Sequence, residues 1–142
     1  MPQRTIILAA GGSGGHVFPA LALSETLIER GWTVFFVTDH RGKVFANEFP
    51  TEVNQLVIDF PNPWSGGKIK FIVSMWFFAK NLVRLISFCR KVGATSIMGF
   101  GGYPSATTML AAIILRIPSA IHEQNSVLGR VNKFFANKVD LI

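Results

Sequence analysis

The sequence predicts an α/β fold, a Rossmann-like parallel sheet with helices on both faces. Short apolar runs alternate with longer stretches of helical period, the pattern of successive strand–helix–strand crossovers. Three of the apolar runs end in unusual turns, at residues 11–16, 99–104 and 122–126. In a right-handed parallel sheet such turns share the carboxyl edge, where ligands of these folds bind. The length, 142 residues, suits one domain with a sizeable core.

The elements follow in order. "TIILAA" (5–10) is read as a buried strand and "PALALSETLIER" (19–30) as a helix, with Pro19 in its first turn and Gly31 at its C-terminal cap. Strands are expected at 33–38 and 55–59, then a loop "FPNPWSGGK" (60–68) and a long helix over 69–91. A strand at 95–100 leads through "GFGGYPSA" into a helix over 105–116. A strand runs from 119 into a turn at 125, and a helix covers 127–136. "KVDLI" (138–142) begins one more strand with no closing helix, so the chain reads as part of a longer protein. There is neither an internal repeat nor a low-complexity tract, and Met1–Arg4 leads straight into a strand rather than a signal peptide.

Composition narrows the partners. Apolar residues make up 49% and charged residues 15%, so some apolar surface is expected outside the core. The formal net charge is +6, and no acid lies between Asp59 and Glu123, an interval holding seven basic residues. Such a field favours anionic partners. The single cysteine, Cys89, excludes an internal disulfide and a CxxC metal site, and the three scattered histidines predict no metal site. The most apolar stretch, "FIVSMWFFA", has nine residues, fewer than the roughly 20 of a membrane span.

"GGSGGH" (11–16) carries the chemistry. Four glycines let backbone N–H groups approach a ligand, and the next helix adds positive potential at its N-terminus. A phosphate or diphosphate is the simplest ligand; a plain strand-to-helix turn is the alternative. The run lacks the GK[ST] of a Walker loop, and Val17 stands where GxGxxG needs its third glycine. Asp39, ending the second strand, sits where a ribose-binding acid would in a nicotinamide-dinucleotide fold. His16, on the rim, is either a general base kept neutral by the helix N-terminus or a capping residue. "GFGGYPSA" repeats the glycine device, for a ligand with more than one anionic group or for close packing. His122, Glu123, Gln124 and Asn125 form a donor and acceptor set suited to sugar hydroxyls, or a scaffold for the neighbouring loops.

The long helix has its own pattern. Phe71, Met75, Phe78, Leu82, Leu85 and Cys89 form one stripe, expected to face the core. The other side carries Lys70, Val73, Trp76, Phe77, Lys80 and Arg84, an apolar patch among basic residues. That describes a surface resting on an anionic bilayer, or a contact with another part of the protein.

"GGSGGHVFPALAL", "GFGGYPSA" and "IHEQN", in this order and spacing, resemble the N-terminal half of the MurG family of peripheral-membrane glycosyltransferases. The resemblance covers essentially the whole chain; the family commonly has threonine where this chain has Ser13. It implies a GT-B architecture of two Rossmann-like domains, of which residues 1–142 would be the acceptor and membrane-association half and the UDP-sugar domain would lie elsewhere. It implies inverting, metal-independent transfer of N-acetylglucosamine from UDP-N-acetylglucosamine to the muramoyl C4 hydroxyl of lipid I, giving lipid II, at the cytoplasmic face of the bacterial inner membrane. No cofactor and no nucleic acid are expected. On the same resemblance Ser13, Gly14, Gly15 and Asn125 serve the donor side, and Gly12, Gly101, Gly102 and Tyr103 the acceptor diphosphate. His16 is the base candidate and Glu123 supports it. A different class remains open, the non-catalytic membrane-docking half of a split glycosyltransferase.

Overall fold

The computed structural model describes residues 4–59 and 67–142; most of the expected 60–68 loop lies outside them. Five parallel strands, β1 (Thr5–Ala10), β2 (Thr33–Thr38), β3 (Asn54–Val57), β4 (Ser96–Gly99) and β5 (Ser119–Ile121), lie in the order β3-β2-β1-β4-β5. The helices are α1 (Gly14–Glu29), α2 (Lys68–Val92), α3 (Tyr103–Leu115) and α4 (Arg130–Phe135), with a 3₁₀ helix at Gly42–Glu48. The chain winds from β1 outward to β3, then crosses back through α2 to β4 and winds the other way. The reversal falls between β1 and β4, which pair from Ile6↔Ser96 to Ala9↔Gly99.

The two-residue period of a strand divides the core between the two faces. Ile6, Leu8, Ala10, Val34 and Phe36 pack with Val17 and Ala20 of α1. Ile7, Ala9, Val37, Ile97 and Ile121 pack with Leu85 and Cys89 of α2, Met109 of α3 and Phe135 of α4. β1, buried at every position, is the central strand, which explains its unbroken apolar run. Burial pushes the Cys89 thiol up to about 11, leaving it a protonated core side chain.

Several expected boundaries move. α1 starts at Gly14, five residues before Pro19, so Pro19 lies inside the helix. Gly14 and Gly15 lose only about 1 kcal/mol each in propensity at a helix start, so they do not prevent it from beginning there. Gly31 does cap α1, with φ +76° and the Trp32 N–H on the Leu27 carbonyl at 3.0 Å. β5 stops at Ile121, α4 is shorter than 127–136, and 138–142 forms only a parallel bridge, Ala120↔Leu141.

The core stripe of α2 is half right. Leu85 and Cys89 are buried and Phe78 and Leu82 half-buried, but Phe71 and Met75 are exposed. Ser74 and Asn81 are buried instead, and Asn81 donates to the Asp59 carbonyl at 2.9 Å. The first turns of α2 therefore carry exposed apolar side chains on the expected core face, although Ser74 among them is buried. Phe77, expected outward, is half-buried edge-on to Trp76 at 5.4 Å. With 25 residues, α2 is long and apolar enough to cross a membrane by length and composition, contrary to the nine-residue reading. Its C-terminal half is part of the domain core, however, which ties it to the sheet.

The two central strand ends touch through glycines. The Gly11 N–H donates to the Gly101 carbonyl at 2.8 Å. A Cβ on Gly102 would lie 2.6 Å from the Gly11 Cα, and Gly102 has φ +83°. Gly31 has a similar φ but no atom within 4 Å of such a Cβ. Gly31→Ala should therefore cost about 1–2 kcal/mol for the backbone alone. Gly102→Ala should add about 1–3 kcal/mol of overlap. Urea unfolding of the two variants checks this; equal losses would mean that the turns do not need to touch.

Candidate functional site

The site lies where the sheet reverses direction, the place where open α/β sheets leave a crevice. α1 and α3 both begin there, after the turns that follow β1 and β4. The first N–H groups of each helix have no intrahelical acceptor, so two positive helix ends sit side by side.

Ser13 is the N-cap of α1, in extended conformation, but its hydroxyl does not cap the helix. It meets His16 Nδ1 at 2.8 Å instead. His16 is the third residue of α1, and its other ring nitrogen faces the β4 turn: a Cβ on Gly101 would lie 2.9 Å from Nε2. Gly101 is bare, then, because the imidazole lies over it. Pro19 has no N–H to give the Gly15 carbonyl, which is left without its intrahelical donor. The His16 pKa is lowered from its ordinary value, first by burial; Glu123 acts to raise it and Arg41 to lower it further. Burial, rather than the helix end alone, keeps the ring neutral.

The four glycines of the first turn serve different ends. Gly11 touches Gly102. Gly12 packs on the loop after β2, where its Cβ would lie 2.6 Å from Asp39 Oδ1. A Cβ on Gly14 would lie 3.1 Å from the Phe18 ring. A Cβ on Gly15 would meet only the Gln124 side-chain nitrogen, at 3.9 Å. Protein packing explains the first three, while Gly15 is bare beside open space.

Asp39 is already occupied. It accepts from the Gly42 N–H at 2.9 Å and from Arg41 Nη2 at 2.9 Å. The acid that kept a dinucleotide reading open thus holds its own loop against Gly12. Arg41, absent from the sequence reading, lies close enough to His16 to influence its charge. A cation three residues beyond the end of β2 was its only signal.

The third turn is organised by Glu123. Oε1 accepts from the Asn125 N–H at 3.1 Å and the Asn125 side chain at 2.9 Å. Oε2 accepts from the Gly129 N–H at 2.8 Å and Asn132 Nδ2 at 3.0 Å. Asn132 also donates to the His122 carbonyl at 2.9 Å, and the sequence reading did not single it out. His122 donates its N–H to the Gly99 carbonyl at 2.8 Å and leans on the Phe100 ring. The scaffold alternative therefore describes Glu123 and His122. Asn125 is exposed, and Gln124 turns toward Gly15 with Oε1 buried and unpartnered among the described residues. Tyr103 opens α3 beside Gly102.

Residues 6–142 match the model of the glycosyltransferase family 28 N-terminal domain. The chain belongs to glycosyltransferase family 28. Among relatives of this family-28 chain, a protein from Rhizobium rhizogenes is 42% identical over the whole chain and is named UDP-N-acetylglucosamine--N-acetylmuramyl-(pentapeptide) pyrophosphoryl-undecaprenol N-acetylglucosamine transferase. One of the same name from Caulobacter vibrioides is 39% identical over 97% of the chain. The chain spans 38% of the length of each of these two relatives. The crystal structure of Acinetobacter baumannii MurG superposes with a TM-score of 0.83 at 27% identity, covering 97% of this chain and 40% of that one. A complex of LpCGTa with UDP, at 13% identity and TM-score 0.57, shares the fold. The parallel sheet with helices on both faces is thus the N-terminal half of a GT-B architecture, as the sequence predicted.

In this family-28 domain the Glu123 carboxylate is pulled in two directions. Burial acts to raise its pKa, but hydrogen bonds from Gly129, Asn125 and Asn132 bring it from 4.5 down to about 2. A depressed carboxylate adds stability above its unfolded pKa and loses it as pH falls toward the folded one. Glu123→Gln should therefore flatten the decline in stability between about pH 4.5 and 2, read as urea midpoint against pH. An unchanged slope would show that those bonds do not hold the ionised form.

Proposed function

We propose that this chain is the acceptor-side half of an inverting glycosyltransferase that moves N-acetylglucosamine from its UDP donor to the muramoyl C4 hydroxyl of lipid I. The observation that carries the reading is the neutral His16 imidazole between two glycine-bounded helix N-termini. A diphosphate fits such a place, because its charge meets the Gly14 and Gly15 N–H groups, which have no intrahelical acceptor, and the positive end of α3. Gly101 and Gly102, whose missing side chains let His16 and Gly11 close on their turn, are assigned with Gly12 and Tyr103 to the acceptor diphosphate. Asn125, held by Glu123, is assigned with Ser13, Gly14 and Gly15 to the donor side, and Glu123 acts as a scaffold rather than as a proton carrier.

The chemistry needs one proton transfer. The C4 oxygen attacks the anomeric carbon, the bond from that carbon to the UDP oxygen breaks, and UDP leaves with the electron pair. The hydroxyl proton passes to His16 Nε2, in a step that inverts the anomeric centre. The uridine site belongs to the remaining length of the protein, consistent with the 38% coverage of relatives.

His16→Ala in the full-length enzyme should lower kcat by about 10²–10⁴-fold and change the donor KM little. The parent's kcat/KM should fall on acidification with a pKa below 6.5, since a protonated imidazole cannot accept the proton, and the variant should lose that limb. A two- or three-fold loss would make His16 a positioning residue.

The exposed face of α2 supports docking on an anionic bilayer, where a lipid-linked acceptor stays anchored. Ile69, Ile72 and Trp76 are 79%, 66% and 61% exposed, and the uncovered Phe71 and Met75 widen the patch. Lys80 Nζ lies 5.4 Å from the centre of the Trp76 ring, and Arg84 follows one turn on. Each basic contact contributes about 1 kcal/mol to such binding, less as salt rises. Ile72→Ser with Trp76→Ser should reduce sedimentation with anionic vesicles while leaving the circular dichroism unchanged. Undiminished binding would mean that this face packs on protein.

A further inference from the structure

We propose that Ser13 is a positioning residue that fixes the tautomer of His16, holding the proton on Nδ1 and leaving Nε2 with its lone pair free. The inference rests on the reading of His16 as the base and adds how that base is kept in the productive form. The Ser13 hydroxyl lies 2.8 Å from Nδ1, and it makes no cap bond to the helix although Ser13 occupies the N-cap. N-cap serines usually give their oxygen to an N–H of the first turn. This one forgoes that bond and lies against Nδ1 instead, where its oxygen can accept from the ring N–H.

The opposite side of the ring is fixed by shape. Nε2 lies over the bare Gly101, whose φ of +105° and missing Cβ make room for it. Gly101 is tied in turn to Gly11 through the 2.8 Å bond from the Gly11 N–H. The ring is therefore held between its own helix cap and the neighbouring strand end, with one nitrogen bound and the other facing the glycine floor. A neutral imidazole carries one N–H, so a proton held on Nδ1 leaves Nε2 free to accept one. The charged groups around it, Glu123 from the loop after β5 and Arg41 from the loop after β2, bias its charge but are not its hydrogen-bond partners. Ser13 thus plays the part that a carboxylate plays behind many histidine bases, without adding a negative charge beside an anionic substrate.

The test reads the tautomer directly. Nitrogen-15 spectra of histidine-labelled chain, at a pH well above the imidazole range, distinguish Nδ1–H from Nε2–H rings. His16→Ala assigns the His16 signals among the three histidines. The wild-type ring should be mainly Nδ1–H, Ser13→Ala should shift it toward the Nε2–H form that free imidazole favours, and Ser13→Thr should keep the wild-type form. An Nε2–H ring in the wild type would overturn the proposal, and that measurement needs no variant to fold. Unchanged tautomer populations in a folded Ser13→Ala would overturn it equally. In the full-length enzyme Ser13→Ala should lower kcat about ten-fold, the scale of one hydrogen bond, with a smaller change in donor KM and recovery in Ser13→Thr. If the tautomer follows Ser13 but the wild-type protein transfers no sugar, the function fails and the Ser13–His16 pairing stands.

Discussion

The contact between Gly11 and the Gly101–Gly102 turn is the constraint on which the site depends. A parallel sheet places neighbouring strands about 4.8 Å apart, and side chains at their ends would normally splay the following turns. Here the Gly11 N–H reaches the Gly101 carbonyl and the two Cα regions touch. That approach sets the starts of α1 and α3 side by side and lays the His16 ring over Gly101. A single Cβ at either partner would push apart the turns, the helix ends and the base together.

Around this contact the polar groups are divided between those that build and those that face the ligand. Thr38 bonds the Ala10 carbonyl, Asp39 holds the loop after β2, and Glu123 ties the third turn to α4. These bonds fix loops that would otherwise move, which favours a pre-formed cleft. What is left open, Gly15 and the first N–H groups of α1, beside the exposed Asn125, is the set proposed for a charged, hydroxyl-rich ligand. The same sorting separates residues that look alike in sequence, since Glu123 and Asn125 are two positions apart and do different work.

The fold was legible because its signals are long and repeated. β1 is apolar from Ile6 to Ala10 and β2 from Val34 to Val37, and glycine turns mark two strand ends. The site was legible as a place, since three turns on one sheet edge follow from topology alone. The division of labour within it was not. Whether Asp39 binds a ribose or caps a loop depends on where Gly42 and Arg41 come to lie, which local sequence does not state. The Ser13–His16 bond was hidden because the helix was expected to begin at Pro19, putting both residues in a turn. The α2 stripe failed for a related reason: a period of three and four identifies a face but not how much of it is covered. Hence Phe71 and Met75 continue the stripe on paper and are exposed in space.

The central claim is that the paired helix ends at the β1/β4 reversal hold a diphosphate-linked sugar beneath His16. Amide nitrogen–proton spectra during titration with a soluble muramoyl diphosphate test it most directly. The account predicts that the largest shifts fall on Gly14, Gly15, Gly102 and Tyr103, together with the His16 ring. Shifts confined to another basic surface, such as the groove between α3 and β5 lined by Arg116 and Lys138, would contradict it.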